Sequence, residues 1–175
     1  SMFLCVFIVA LLSIPMLYIK NTYGHLGWIF EVTSFFIIST IILFICYWFT
    51  YKSIQGSSFD NFVDYIKLFF TFFSVALGFS LHNTVAVLEG HLGKRSEFVR
   101  TPKFNINNLT DSWKGNKYLA KKLSPNMILE FALMIYFLFG MYSAVPLNDY
   151  GLFPFHLMLF IGFGFVFFKS LTSKA

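Results

Sequence analysis

EGHLGKRSEFVRTPKFN, from Glu89 to Asn105, is the first long polar passage after more than eighty mostly apolar residues. It opens the most basic part of the chain. From Glu89 to Ser124 the bases are Lys94, Arg95, Arg100, Lys103, Lys114, Lys117, Lys121 and Lys122, against the acids Glu89, Glu97 and Asp111. The surplus is +5, equal to the formal net charge of all 175 residues. The remainder is neutral in sum and apolar in character, so water-facing chemistry is concentrated in this loop.

The composition fixes the class. The chain is 57% hydrophobic and 22% aromatic, with a mean hydropathy of +0.70. Only 12% is charged, about half the share of a soluble domain. Four apolar runs approach or reach the roughly 20 residues that cross a bilayer. The reading is an all-α integral membrane protein, with the lipid bilayer as its first partner and no nucleic-acid partner. Ser1-Met2 opens in mid-run without a polar lead-in, as at a truncation point, and no basic segment marks a signal peptide. Cys5 and Cys46 fall inside apolar runs and read as small hydrophobes.

Taken in order, helices are expected at about 2–18, 32–50, 62–88, 126–142 and 151–168, in a single membrane domain over 1–175. Pro15 should kink or end the first, because it removes a backbone donor. Tyr47, Trp48 and Tyr51 close the second as an aromatic belt. The third is ambiguous: its uninterrupted apolar core runs only from Leu68 to Leu81, which suits an interfacial or re-entrant helix. Its second half carries Ser80, His82, Asn83, Thr84 and Glu89, polar groups that must face protein or water. Ser124-Pro125 is a good start for the fourth. The expectation is four transmembrane helices plus one interfacial helix, with five transmembrane helices as the alternative. The positive-inside rule puts the 89–125 loop in the cytoplasm, and the C-terminus with Lys169 and Lys174 on the same side.

Catalytic motifs are scarce. The nucleophile elbow, P-loop, dinucleotide fingerprint and HExxH pattern are all absent, and no catalytic residue is expected. His25, His82, His91 and His156 are scattered over different elements without a ligand pair, so no metal site is expected. Glu130, one turn inside its helix, reads as a dipole-stabilised interfacial acid rather than a functional intramembrane carboxylate. His82, Asn83 and Glu89 could line a polar path. The basic loop reads either as a topogenic cluster on anionic lipid or as an anion-binding flap. In the flap reading, Arg100, Thr101 and Lys103 gather a guanidinium, a hydroxyl and an ammonium around the stiff Pro102, which suits a diphosphate. Phe98 and Phe104 flank it as apolar anchors.

Leu81-His82-Asn83, Ala86-Val87-Leu88-Glu89-Gly90, Gly93-Lys94 and Phe98-Val99-Arg100-Thr101-Pro102-Lys103-Phe104 together resemble the membrane C-terminal region of family-2 processive-type glycosyltransferases. The cellulose-synthase-like and mannan-synthase-like members look nearest. The tail from Phe155-His156 through Gly162-Phe163-Gly164-Phe165-Val166 to Lys169-Ser170 is similar to that family's last helix. The resemblance implies a cytoplasmic gating loop of pattern F-x-x-T-x-K that touches the donor's diphosphate. Phe98, Thr101 and Lys103 match it, with Arg100 and Pro102 in its variable places.

The resemblance also implies a catalytic domain, in cis or in trans, with an aspartate-rich nucleotide site, a catalytic acid, a QxxRW segment and a divalent cation (Mg or Mn). None of those motifs is in this sequence. The expected function is therefore the membrane portion of a hexosyltransferase of polysaccharide biosynthesis, not catalytic alone and holding no cofactor itself. It would form a platform for a lipid or polysaccharide acceptor beneath a nucleotide sugar, in a bacterial inner membrane. Two other classes fit the residues: a small transporter or channel subunit, and a non-catalytic anchor with a lipid-binding loop.

Overall fold

A computed structural model describes residues 2–35, 37–94 and 125–172. Its elements are α1 (Met2–Thr22), a 3-10 turn (Gly24–Leu26), α2 (Gly27–Ser34), α3 (Ile37–Gln55), α4 (Phe59–Gly78), α5 (Ser80–His91), α6 (Pro125–Ala144) and α7 (Phe153–Thr172). Among the described residues there is no strand. Four stretches of the described residues are long and apolar enough to cross a membrane: α1, the 33-residue stretch Phe59–His91, α6 and α7.

α1 runs beyond its expected end at Tyr18, straight through Pro15. Proline at position 15 cannot donate to the carbonyl of Leu11, four residues back. The Tyr136 hydroxyl of α6 donates to that carbonyl instead, at 2.6 Å. The helix is thus repaired from outside, which is how lipid-embedded helices tolerate proline.

The expected second helix at 32–50 is shifted. The chain forms α2, turns at Phe35, and begins α3 at Ile37. α3 then continues past the apolar run to Gln55, where Gly56 takes the left-handed φ of +89° that ends helices without a Cβ penalty. Ser58 caps α4 by accepting from the Asn61 N–H at 3.1 Å, which places its start before residue 62. The aromatic seam between the two helices sets Phe44 and Trp48 against Tyr65, and the Tyr65 hydroxyl donates to the Phe44 carbonyl.

The stretch expected at the interface, 62–88, belongs to one of the four long apolar segments. The ladder passes the Gly78-Phe79 break: Phe79 N–H donates to Val75 O, and Asn83 N–H to Phe79 O, both at 3.0 Å. The polar residues that interrupt the apolar run are turned inward. Ser80 and Thr84 are buried, Thr84 donates to Phe3 O, and His82 meets Glu130. Thr84 and His82 thus meet partners inside the bundle, while the Ser80 hydroxyl is buried without a hydrogen-bond partner among the described residues.

The core joins Ala10 and Ile14 of α1, Leu81 of α5, Phe137 of α6, and Leu159 and Phe163 of α7. α7 holds the bundle together, packing along both α6 and α4. Gly162 is buried at the α4 crossing, where an added Cβ would overlap the Ser74 carbonyl. A Cβ on Gly78 would likewise strike the backbone of Gly162. Ser74 and Gly78, one turn apart, form the small-xxx-small stripe that lets membrane helices touch backbone to backbone.

Two contacts orient the bundle. The start of α1 meets α5 through Thr84 and Phe3. Its far end meets the α6-α7 turn, where Lys20 Nζ donates to Asp149 Oδ2 at 2.7 Å and Asn21 donates to the same oxygen at 3.2 Å.

This packing predicts two outcomes. Gly162→Ala should lower unfolding stability in detergent by about 1–3 kcal/mol through overpacking. A melting midpoint equal to wild type would remove the backbone seam as a stabilising contact. At the other end, the hydrogen bond from Lys20, supported by Gly151 N–H and Asn21, holds the Asp149 carboxyl below its usual 3.8. Its stabilising contribution is therefore complete above pH 3.8 and lost as pH falls through the depressed folded value. Asp149→Asn should flatten the acid limb of a stability-versus-pH curve, and an unchanged limb would discount this tie.

Candidate functional site

α6 opens on Pro125, whose missing N–H is no loss in a first turn. Glu130 lies about 8 Å further along the axis. Its side chain is packed inside the bundle, 0% exposed, and it is the only buried acid among the described residues. His82 Nε2 lies 2.5 Å from Glu130 Oε1. Oε2 is buried with no hydrogen-bond partner among the described residues.

The pair is asymmetric. His82, near the start of α5, is 37% exposed, so one end of the hydrogen bond reaches the surface and the other is sealed. A carboxylate removed from water costs several kcal/mol unless partners compensate it, and here a single imidazole does so. The bond must carry a proton, either as Nε2–H donating to a carboxylate or as a carboxyl O–H donating to Nε2.

Of the other expected lining residues, Asn83 is half-buried beside His82. Glu89 is not drawn to the pair. It lies at the end of α5 and accepts from Lys94 at 2.6 Å, so it belongs to the rim. Phe98, Arg100, Thr101 and Lys103 lie outside the described residues, as does most of the 89–125 loop. Both flanks of that loop open on one end of the bundle, since α5 ends and α6 begins where α1 starts.

The sequence reading missed a second buried histidine site. His156 on α7 is 0% exposed, and its Nε2 lies 2.9 Å from Ser13 Oγ on α1. Ser13 itself donates to Ala10 O at 2.6 Å, so its single hydroxyl proton is used and His156 Nε2 is the donor to it. Gly140 on α6 makes the room: a Cβ there would stand 2.9 Å from His156 Nδ1 and 2.8 Å from Ile14 Cδ1. A glycine inside an apolar helix was the available signal. Among the described residues, no three His, Cys, Asp or Glu side chains gather as a metal site would require.

His82→Ala strands a buried carboxylate and should cost about 3 kcal/mol or more of unfolding stability. The double variant with Glu130→Gln should recover part of that loss. Strict additivity in the double-mutant cycle would mean that the two side chains are not coupled.

Comparison with protein-family models, with curated proteins and with solved structures yields no match for this chain.

Proposed function

We propose that this chain is the membrane portion of a family-2 glycosyltransferase. In this reading the bundle is the platform for a lipid or polysaccharide acceptor, and the loop 89–125 closes over a nucleotide sugar. The sugar and its Mg or Mn ion would be held by a catalytic domain in cis or in trans, and the chain alone transfers nothing. The observation that carries the reading is the phrase Leu81 to Phe104. Its first part is α5, and the two flanks of the loop beyond α5 leave and rejoin the bundle at one end. A gating loop needs that arrangement, because both of its roots must stand beneath one site.

A topology accompanies the proposal. α1, Phe59–His91, α6 and α7 cross, with α3 held against α4. Four crossings put the start of α1, the basic loop and the end of α7 on one side, and the concentration of Lys and Arg in the loop makes that side cytoplasmic. A bacterial inner membrane suits this arrangement.

The test is donor binding by the full-length enzyme joined with its catalytic domain. Lys103→Ala and Thr101→Ala should each weaken nucleotide-sugar affinity about ten-fold, the loss of one charge-assisted hydrogen bond. Lys117→Ala, further along the same loop, should leave it unchanged. Equal affinities across all three variants would leave the loop as a topogenic cluster.

A further inference from the structure

From the buried half of the His82-Glu130 contact, we propose that the two residues form a proton relay. The pair takes up and releases one proton between the loop end of the bundle and its sealed interior. This inference is independent of the donor-loop reading.

Three observations carry it. Glu130 is wholly buried and has a second carboxyl oxygen without a partner. A carboxylate left half-satisfied in a packed interior keeps a lasting affinity for a positive charge. The choice of that charge is narrow. Glu130 offers no surface to a water-sized sphere, so neither a water nor a hydroxylated ligand can lie against Oε2 in this packing. A metal ion would need further ligands, which the described residues do not gather there. A proton needs no cavity, and one bound at Oε1 neutralises the whole carboxyl group, Oε2 included. Finally, the 2.5 Å contact with the partly exposed His82 supplies the path.

The step balances simply. A proton from the water or headgroup side adds to Nδ1 of His82. The Nε2–H bond breaks as an Oε1–H bond forms on Glu130. The imidazole ends neutral, its proton now on Nδ1, and the carboxyl ends neutral. The pair has gained one proton and no other atom, and release reverses the step. Loading replaces a buried negative charge by a neutral acid whose O–H donates to His82 Nε2, so the contact between α5 and α6 is kept with its direction reversed.

Other ionisable groups on the packed helices make contacts of their own. On α7, His156 contacts Ser13. On α6, Tyr136 donates to Leu11 O. On α4, Lys67 pairs with Asp64, and on α5, Glu89 pairs with Lys94. Lys169 lies over the Phe165 ring, and on α1 Lys20 holds Asp149 at the opposite end.

The experiment is infrared difference spectroscopy on the full-length protein in lipid vesicles, with a pH jump to start uptake. A protonated-carboxyl band should appear on acidification, reverse on return, vanish in Glu130→Gln and persist, shifted, in Glu130→Asp. In His82→Gln, whose amide can hold the hydrogen bond but cannot pass a proton, the band should form about a hundred-fold more slowly. Should that variant fail to fold, diethylpyrocarbonate modification of His82, in a background lacking the exposed His25 and His91, must slow the band equally. The absence of a Glu130 band, or its formation at the wild-type rate without a working His82, overturns the relay.

Discussion

Backbone-to-backbone contact between α4 and α7 is the constraint on which the rest of the structure depends. Apolar helices in lipid gain little by burying apolar side chains against one another, because the surrounding tails are equally apolar. Close packing and internal hydrogen bonds must hold them together. Gly162 admits Ser74 and Gly78 to van der Waals range, which brings α4 along α7 and carries α5 onward to α1. α6 then closes on α7 by stacking Phe137 over Phe163, with ring centroids 5.6 Å apart. A side chain larger than hydrogen at residue 162 would separate α4 from α7, and with it the approach of His82 to Glu130.

Polar residues are distributed so that they serve this packing. Ser13, Thr84, Tyr136, Ser143 and His156 each satisfy a partner on another helix or their own backbone. Glu130 differs. One of its oxygens is matched by His82 and the other is not; Ser80 Oγ and His156 Nδ1 are likewise buried without a partner among the described residues, but Glu130 is the only acid so placed there. Buried ion pairs of this kind are poor sources of net stability compared with apolar residues of the same volume, so packing alone does not account for a glutamate at position 130.

The helices are legible from hydrophobic run length, and most of their ends are not. α6 and α7 fall within two residues of the expected starts, because Pro125 and the turn around Gly151 mark them directly. α1 outlasts its expected end because a proline reads as a break, although a tyrosine far along the chain supplies the missing donor. The interfacial reading of 62–88 rests on counting an unbroken apolar core. That count stops at Ser80, His82 and Thr84, of which the first and last are buried and His82 meets Glu130, and a linear count cannot distinguish a polar residue facing lipid from one facing a partner helix. Glu130 illustrates the same limit: its position near a helix start suggests the interface, whereas its burial depends on α5, 48 residues away. His82 stands out in the sequence as a polar residue within an apolar stretch. Its partner cannot be named from that, since no periodicity links the two.

The exchange of a proline's missing donor for a tyrosine hydroxyl bears on how the protein is made. Tyr136 is 125 residues from Leu11, so α1 leaves the ribosome long before its repair is synthesised. Until α6 arrives, the Leu11 carbonyl must find a temporary donor or stay bare, at about 1–3 kcal/mol. The first helix is therefore held provisionally during insertion and becomes committed only when the C-terminal hairpin docks. Quality control that samples unassembled segments would find α1 exposed throughout that interval. A chain stopped anywhere before Tyr136 would leave it in that condition permanently.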